Sequence, residues 1–325
     1  MDIVSTAQRL ADETLFPAAL ATDASETLPV ALLDALADAG LYGLTGPASD
    51  GGLDADFPTA CAVVEALASG CLTTTLVWVQ HIGTVLATAT SGNAAMRDWT
   101  AALSRGERRA GLAGAASPGP AQLVARETAG GWIFDGVAPF VSGWGRIDAA
   151  HTAARTEDGR VVWALVDARE SSTLSVERLG LVALNATATV RAGFRAHHAP
   201  AERITSVSPY NDGPTPPAVL RIHASLALGV AGRCCRLLGP TALDDELLRC
   251  RTELDRLDAE TIEAARASAG ELALRAAGAL AVHAGSRSLL LDQHAQRLAR
   301  EALFVLVYAL RPGSRASLLA RLGAV

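Results

Sequence analysis

The sequence contains no lysine, since all 28 of its positively charged side chains are arginine. A pyridoxal-phosphate Schiff base and the lysine of a phosphate-binding P-loop both use an ε-amine, so this absence excludes both chemistries. Positive charge is also in the minority, because 34 acidic residues give a formal net charge of −6 at pH 7. Nucleic-acid binding normally needs a clustered basic face. The composition therefore argues against a nucleic-acid partner.

Cysteine is scarce, and no pair of cysteines has the C-x-x-C spacing of a zinc ribbon or a redox pair. The histidines and acids also lack close ligand spacing, so we predict no metal site. The five cysteines are expected to be buried free thiols in a reducing compartment. The first residues predict an amphipathic helix instead of a signal peptide, and no apolar run is long enough to span a bilayer. We therefore expect a cytoplasmic protein without a membrane span.

The chain is 50% hydrophobic and long enough to bury a sizeable core. Residues 1–108 show helical periodicity, clearest at 28–41, where Leu28, Leu32 and Leu36 share one face. Residues 109–212 carry short runs rich in Val, Thr, Trp and Phe, which favour strands. Residues 213–325 are helical and rich in alanine. This pattern predicts three domains with those boundaries.

Particular elements can be predicted inside these domains. Strands are expected at 131–136 and 186–194, and residues 149–168 are typical of a β-hairpin turning at Gly159. His197 and His198 are interpreted as surface turn residues before Pro200. The C-terminal helices are predicted at 216–239, 243–257, 260–284 and 293–310, the last of them stopping before Arg311-Pro312-Gly313.

Four strings, in order along the chain, resemble the acyl-CoA dehydrogenase family. Each would be weak alone, but together they are fairly specific for the fold and cover nearly the whole chain. They are LADAGLYGLTGPASDGG (36–52), VVEALASGCLTTT (63–75), VARETAGGWIFDGVAPFVSGWGRIDAAHTAAR (124–155) and HAGSRSLLLDQHAQRLAREALF (283–304). The resemblance implies an α+β fold made of an N-terminal helical domain, a middle antiparallel β-barrel or sandwich domain and a C-terminal helical bundle.

The same resemblance implies a flavoprotein oxidoreductase that binds FAD and acts on the CH–CH group of an acyl-CoA or a related thioester. A base on the protein would remove the proton α to the carbonyl, while the cofactor takes the β hydride. Ser142 would take the place of a threonine that hydrogen-bonds the flavin ring. The implied cofactor-binding residues are Ala116, Ser117, Phe140, Val141, Ser142, Gly285 and Arg287.

The family's usual catalytic glutamate falls on Ala309, next to Tyr308, and alanine cannot accept a proton. Some members carry the base instead in the first helix of the C-terminal bundle, but no acid occurs between Asp212 and Asp244. His223 lies in that helix and is the one alternative base, although a histidine on an apolar helix is more often a core residue. The backbone N–H of Ala309 would still be able to polarise a thioester carbonyl.

Two further departures concern the cofactor. Residues 239–260 are short and acidic where the family has an Arg-x-x-Phe-Gly segment that holds the flavin's pyrophosphate. Arg249 and Arg251 offer a partial substitute or a solvated helix face. Residues 282–288 keep only one glycine of the turn that receives flavin from a neighbouring subunit.

These departures leave three readings open. The first is a dehydrogenase with a non-standard base. The second is a catalytically inactive subunit that forms a hetero-oligomer with an acyl-CoA dehydrogenase paralogue, and the third is a scaffold or ligand-binding protein without flavin. Either a homo-oligomer or a hetero-oligomer is expected.

Overall fold

A computed structural model describes residues 2–114 and 119–324 of the chain. Its first third is helical, as predicted, and starts where the Asp2 carboxylate accepts hydrogen bonds from the Val4 and Ser5 N–H groups. A π-helical turn, Ala11–Leu15, connects the first two helices. The helices are α1 (Ile3–Leu10), α2 (Phe16–Asp23), α3 (Val30–Asp38), α4 (Phe57–Gly70), α5 (Leu72–Ala89) and α6 (Met96–Ser104).

The apolar face predicted within 28–41 is confirmed. Leu28, Leu32 and Leu36 are buried, while Asp34 and Asp38 are exposed. The regular helix is shorter than the predicted stretch, because α3 ends at Asp38 and Gly40 follows with a positive φ of 74°.

The middle of the chain forms one eight-stranded sheet in the order β6-β7-β3-β2-β4-β5-β8, with β1 paired to β4. Most pairs are antiparallel, but β1 and a single residue pair of β2 run parallel to β4. The strands are β1 (Ala110–Gly114), β2 (Leu123–Thr128), β3 (Gly131–Val141), β4 (Ala149–Arg155), β5 (Arg160–Asp167), β6 (Leu174–Arg178), β7 (Val190–Pro200) and β8 (Ile204–Pro209).

The hairpin predicted within 149–168 is confirmed, because β4 and β5 pair antiparallel around Gly159, whose φ is +81°. The strand predicted at 186–194 is misplaced. Residues 185–187 form a 3₁₀ turn and β7 starts at Val190. The interpretation of His197 and His198 as turn residues was wrong, since both lie inside β7 and pair with Phe134 and Ile133 of β3.

The last third is helical again: α7 (Pro217–Leu238), α8 (Ala242–Asp255), α9 (Ile262–Ala284), α10 (His294–Val307) and α11 (Pro312–Arg321). Four helices agree with the predicted ones to within a few residues. The fifth, α11, was not predicted, because Pro312-Gly313 reads as a stop signal. Pro312 instead occupies the first turn of a new helix, where its missing N–H costs nothing.

Small residues let the N-terminal and C-terminal helices approach closely. Where α7 crosses α4, a Cβ built on Gly229 would lie 2.5 Å from the Glu65 carbonyl oxygen and 2.6 Å from the Ala68 Cβ. By length and composition, α7 is also the single helix in the described ranges that is long and apolar enough to cross a membrane. Most of its apolar stretch is buried inside the protein, as in the core helix of a bundle.

A buried histidine joins the helical part to the sheet. The Nδ1 of His81, on α5, accepts a hydrogen bond from the Ala110 N–H of β1 at 3.0 Å. With Nδ1 acting as an acceptor, the proton lies on Nε2, which donates to the Leu103 carbonyl of α6 at 3.1 Å. The neutral ring therefore ties α5, α6 and β1 together.

Candidate functional site

The connection between α10 and α11 brings together side chains from three distant parts of the chain. Tyr308 lies at its start, and the Tyr308 ring meets the His223 ring of α7 edge to face, with centroids 5.3 Å apart. The Phe304 ring stacks on the same tyrosine at 5.3 Å. The Gln80 side chain of α5 hydrogen-bonds the Tyr308 hydroxyl. Gln80, His223 and Tyr308 are all partly exposed, so this group of side chains is within reach of solvent.

The orientation of the Gln80 amide is fixed by the sheet. Its Oε1 accepts a hydrogen bond from the Leu112 N–H of β1 at 3.1 Å. The amide NH₂ is then the group that donates to Tyr308, which agrees with the direction of its effect on the tyrosine. Burial outweighs this bond and raises the pKa of Tyr308 to about 12. Tyr308 therefore stays a neutral phenol and a hydrogen-bonding group at neutral pH.

The electrostatic surroundings of His223 are positive. Burial, together with the guanidinium groups of Arg266 and Arg311, lowers the pKa of His223 to about 4. The imidazole is therefore uncharged at neutral pH and has a lone pair to offer. His223, the alternative base expected from the sequence, therefore contacts Tyr308, the residue before Ala309.

Arg266, on α9, is buried and holds the start of the α10–α11 connection through hydrogen bonds to the backbone. Only 2% of its surface is exposed, and its Nη2 donates to the carbonyl oxygens of Val305 at 2.8 Å and Tyr308 at 3.1 Å. Its Nη1 has no hydrogen-bond partner within the described residues. Burial lowers the pKa of Arg266 to about 10, so it remains a cation. A buried cation at the C-terminal end of α10 is favourable because the exposed carbonyl groups there carry partial negative charge.

Ala309 itself is exposed and has a φ of +50°, which is uncommon for a residue with a Cβ. Its backbone N–H has no hydrogen-bond acceptor within residues 2–114 and 119–324. The carbonyl on the preceding residue is held by Arg266. The left-handed turn at Ala309 therefore presents an exposed backbone N–H that no protein group accepts from.

A buried relay of three hydroxyl groups starts at Ser142, just beyond β3. Ser142 Oγ lies 2.8 Å from Thr189 Oγ1, which lies 2.7 Å from Thr187 Oγ1. Thr187 donates to the Leu184 carbonyl at 2.8 Å, and a carbonyl can only accept. Each hydroxyl has one proton, so Thr189 donates to Thr187 and Ser142 donates to Thr189. The family resemblance implies a hydrogen bond between Ser142 and the flavin ring. Because the relay uses the Ser142 proton, this hydroxyl can only accept a hydrogen bond from a ligand.

Exposed apolar side chains test whether a flat aromatic cofactor would fit this protein. Phe140 on β3 is 64% exposed, and Val307 on α10 is 61% exposed. Val182 is also exposed, and its carbonyl accepts a hydrogen bond from Arg300 of α10, which brings the 179–189 segment against that helix. These side chains suit the apolar face of a ring such as flavin, with Val141 buried beneath them.

The remaining predicted cofactor residues lie elsewhere. Gly285, with a φ of +64°, and the exposed Arg287 belong to the 3₁₀ turn between α9 and α10. Ala116 and Ser117 lie outside the described residues. Only three residues, 239–241, connect α7 to α8, and Thr241 and Asp244 form a capping box there. Arg251 forms an ion pair with Glu65 and is not free to hold a phosphate.

Three residues of this site were missed in the sequence: Gln80, Arg266 and Arg311. Gln80 sits in an apolar helix of ordinary appearance, and its role depends on β1, more than 30 residues away. Arg266 left one usable signal, a cation that interrupts an alanine-rich buried helix face. Arg311 looked like part of a helix stop.

Comparisons with known proteins place this geometry in context. Residues 1–107 match the family model described as acyl-CoA dehydrogenase, N-terminal domain. No curated protein matches the chain by sequence. The butyryl-CoA dehydrogenase of Megasphaera elsdenii superposes with a TM-score of 0.81 at 16% identity, covering 100% of this chain and 98% of that one.

Two further solved structures are similar to the chain. One is the complex of a glutaryl-coenzyme A dehydrogenase with glutaryl-CoA, with a TM-score of 0.81, 16% identity and coverage of 99% and 95% of the two chains. The other is a glutaryl-CoA dehydrogenase from Mycobacterium smegmatis in complex with FADH2, with a TM-score of 0.79, 18% identity and coverage of 99% and 94%.

Helices, a mostly antiparallel sheet and a helical bundle, in this order and at these scores, define the acyl-CoA dehydrogenase fold. Residues 1–107 match the N-terminal domain model and the whole chain superposes on acyl-CoA dehydrogenase structures, which confirms the fold class predicted from the four sequence strings.

Proposed function

We propose that this protein is an FAD-dependent oxidoreductase of the acyl-CoA dehydrogenase type, acting on an acyl-CoA or a related acyl thioester in the cytoplasm, with His223 as its base. The observation that carries the proposal is the contact of His223 with Tyr308. It puts a neutral imidazole against the residue that directly precedes Ala309, whose N–H has no hydrogen-bond acceptor.

The chain's own groups would divide the work in the following way. The Ala309 N–H would bind the thioester carbonyl oxygen and stabilise the negative charge that develops there. The uncharged His223 would take the proton from the neighbouring carbon, and the positive charges of Arg266 and Arg311 favour an enolate-like transition state. Gln80 holds the Tyr308 hydroxyl in place through the sheet.

When bound, FAD would accept the hydride removed from the substrate, which carries two electrons. Phe140 would pack against its ring with the buried Val141 behind it, and Ser142 would accept a hydrogen bond from the ring. We include Gly285 and Arg287, reaching the cofactor of a neighbouring subunit, and the segment with Ala116 and Ser117 in the proposed site. The ligands of two structural neighbours, glutaryl-CoA and FADH2, support this choice of substrate and cofactor.

The test combines flavin retention with turnover. The full-length protein is loaded with FAD, freed of unbound flavin by gel filtration and assayed with a set of acyl-CoA thioesters and an artificial electron acceptor. We expect His223→Asn to lower kcat by roughly 10²–10⁴, the usual contribution of a positioned base. The control is His198→Asn, which changes an exposed histidine on β7.

Bound flavin without any turnover would contradict the proposed enzymatic activity. It would favour the second interpretation of the sequence, an inactive subunit that pairs with a dehydrogenase paralogue. The short α7–α8 connection is the feature that favours this alternative. Co-expression with such a paralogue would then restore activity in a hetero-oligomer.

A further inference from the structure

A groove of about 330 Å³ lies along α11, just beyond the candidate base. Its floor and walls are mainly apolar, and two arginines are its charged groups. The groove is lined by Leu310, Arg311, Pro312, Arg315, Ala316 and Leu319.

The two arginines have no acidic partner. Within the described residues, neither Arg311 nor Arg315 forms an ion pair with a carboxylate or a side-chain hydrogen bond. Arg311 is the N-cap of α11 and Arg315 follows four residues later, a spacing at which like charges repel. The acid that does meet α11 is Glu263, and its carboxylate accepts a hydrogen bond from the buried Ser314 at 2.9 Å. Neither arginine of the groove is therefore neutralised by a direct ion pair.

Neighbouring groups add to the positive charge of Arg311 and Arg315. The Arg266 guanidinium is buried under the same connection and is also without a carboxylate. His223, which faces Arg311 from α7, is neutral and cancels none of the charge. Arg311 also precedes the first turn of α11, where the unbonded N–H groups of a ten-residue helix attract an anion. Two forked guanidinium groups suit the oxygens of a phosphate, which they can bind in pairs.

The groove follows α10 closely in the chain. The exposed Val307 ends α10, and Leu310 starts the groove three residues later. At the other candidate place, the α7–α8 connection is short and is followed at once by Asp244 and Asp245. The phosphate group of a ligand is therefore attracted to the arginines at α11 and repelled by the acids of α8.

We propose that Arg311 and Arg315 bind a phosphate or pyrophosphate group of a ligand in this groove, and so replace the phosphate-binding segment that α7–α8 lacks. The inference rests in part on the proposed function, which offers two sources for this group. One is the pyrophosphate of FAD, and the other is the nucleotide part of the acyl-CoA.

The experiment uses the full-length protein and inorganic pyrophosphate as the first ligand, with binding measured by calorimetry at low ionic strength. In the double variant Arg311→Gln/Arg315→Gln, pyrophosphate should bind roughly tenfold more weakly or worse, because two charge-assisted contacts are lost. The matched control is Arg321→Gln, which removes an exposed arginine from the same helix outside the groove. Thermal melting of each variant shows whether α11 still folds.

Two further arms identify the source of the phosphate. A loss of FAD affinity with unchanged coenzyme A affinity assigns the groove to the cofactor, and the reverse result assigns it to the thioester. The proposal is overturned when the folded double variant binds pyrophosphate, FAD and coenzyme A as tightly as the unaltered protein. It is also overturned when the unaltered protein binds none of the three. A protein that binds pyrophosphate but no FAD refutes the proposed function and leaves the phosphate site standing.

Discussion

The direction of the hydrogen bonds in the hydroxyl relay makes Ser142 an acceptor toward a ligand, although a serine hydroxyl can in general both donate and accept. Because Thr187 donates to the Leu184 carbonyl, the proton of each of the three hydroxyl groups in the relay points from Ser142 toward Leu184. A flavin nitrogen that gains an N–H on reduction would find an acceptor in Ser142, whereas the oxidised ring would meet no donor there. The relay should therefore favour the reduced cofactor.

This direction predicts an effect on the reduction potential of bound flavin. In Thr187→Val, Thr189 loses its acceptor and can donate to Ser142, whose own proton becomes free to serve the oxidised ring. We expect the potential to fall by roughly 20 mV, since one net hydrogen bond is worth about 1 kcal/mol and the couple transfers two electrons. Thr187→Ser keeps the hydroxyl and should keep the potential. Equal potentials in all three proteins would rule out the relay's role.

The neutral state of His223 predicts the pH dependence of turnover. A base with a pKa of about 4 is unprotonated throughout the neutral range. As the pH falls toward that value, His223 takes up a proton and can no longer accept one from the substrate. A profile of kcat/KM against pH should therefore be flat near neutrality and decline with an apparent pKa of about 4. A decline centred near 6.5, the ordinary histidine value, would contradict the positive surroundings assigned to it.

Single residues show where sequence reasoning reached the site and where it stopped. The sequence predicts Ala309 as the vacant base position and His223 as the alternative, because both follow from alignment with known strings. Whether His223 faces the vacancy depends on how α7 packs against the α10–α11 connection. The local sequence pattern does not show how these two elements pack. The same holds for Arg266, whose partners are backbone carbonyls about 40 residues away.

Among the elements, the crossing of α4 and α7 depends most on a single small residue. Gly229→Ala would place a methyl group within 2.6 Å of atoms in α4, so the helices must move apart. We expect this substitution to lower the free energy of unfolding by roughly 1–3 kcal/mol, as overpacking usually does. Urea denaturation followed by circular dichroism measures the change.

The same helix supplies the control. A Cβ on Gly232 would meet Leu247 Cδ2 at 3.5 Å, an ordinary contact. Gly232→Ala should therefore be neutral or stabilising by up to about 1 kcal/mol, because alanine is the better helix former. A similar loss of stability in both variants would show that close approach at Gly229 is not the cause.

Elements with a regular apolar repeat were predicted well, while those defined by their ends were not. Helix α7 has both a proline start and a glycine stop, and its bounds agree with prediction. Helix α11 has no pattern that distinguishes it from a tail, and the proline that opens it also reads as the end of α10. The strand start at Val190 depends on pairing with β3, which only the sheet supplies. The domain boundaries at 108 and 212 stay predictions.

At the scale of the whole molecule, buried neutral histidines set its acid stability. Burial lowers the pKa of His81 to about 3 and that of His151 to about 4, both from 6.5. The unfolded chain therefore binds more protons than the folded one between about pH 6.5 and pH 4, so stability must fall as the pH falls through this range. One pKa unit corresponds to about 1.4 kcal/mol, so the total loss should reach several kcal/mol.

Urea titrations across the same pH range would measure this loss. His81→Gln keeps an amide able to donate to Leu103 and to accept from Ala110 but removes the titrating group, so its stability should depend less steeply on pH. An unchanged slope in this variant would show that His81 does not contribute.

The central claim is that this fold, despite its vacant glutamate position and short α7–α8 connection, still closes a flavin site. The measurement that tests it most directly is the visible absorbance spectrum of the full-length protein after incubation with FAD and gel filtration. The account predicts that a flavin band elutes with the protein in near-stoichiometric amount. A protein fraction with no flavin band, alone and after co-expression with a dehydrogenase paralogue, would contradict it.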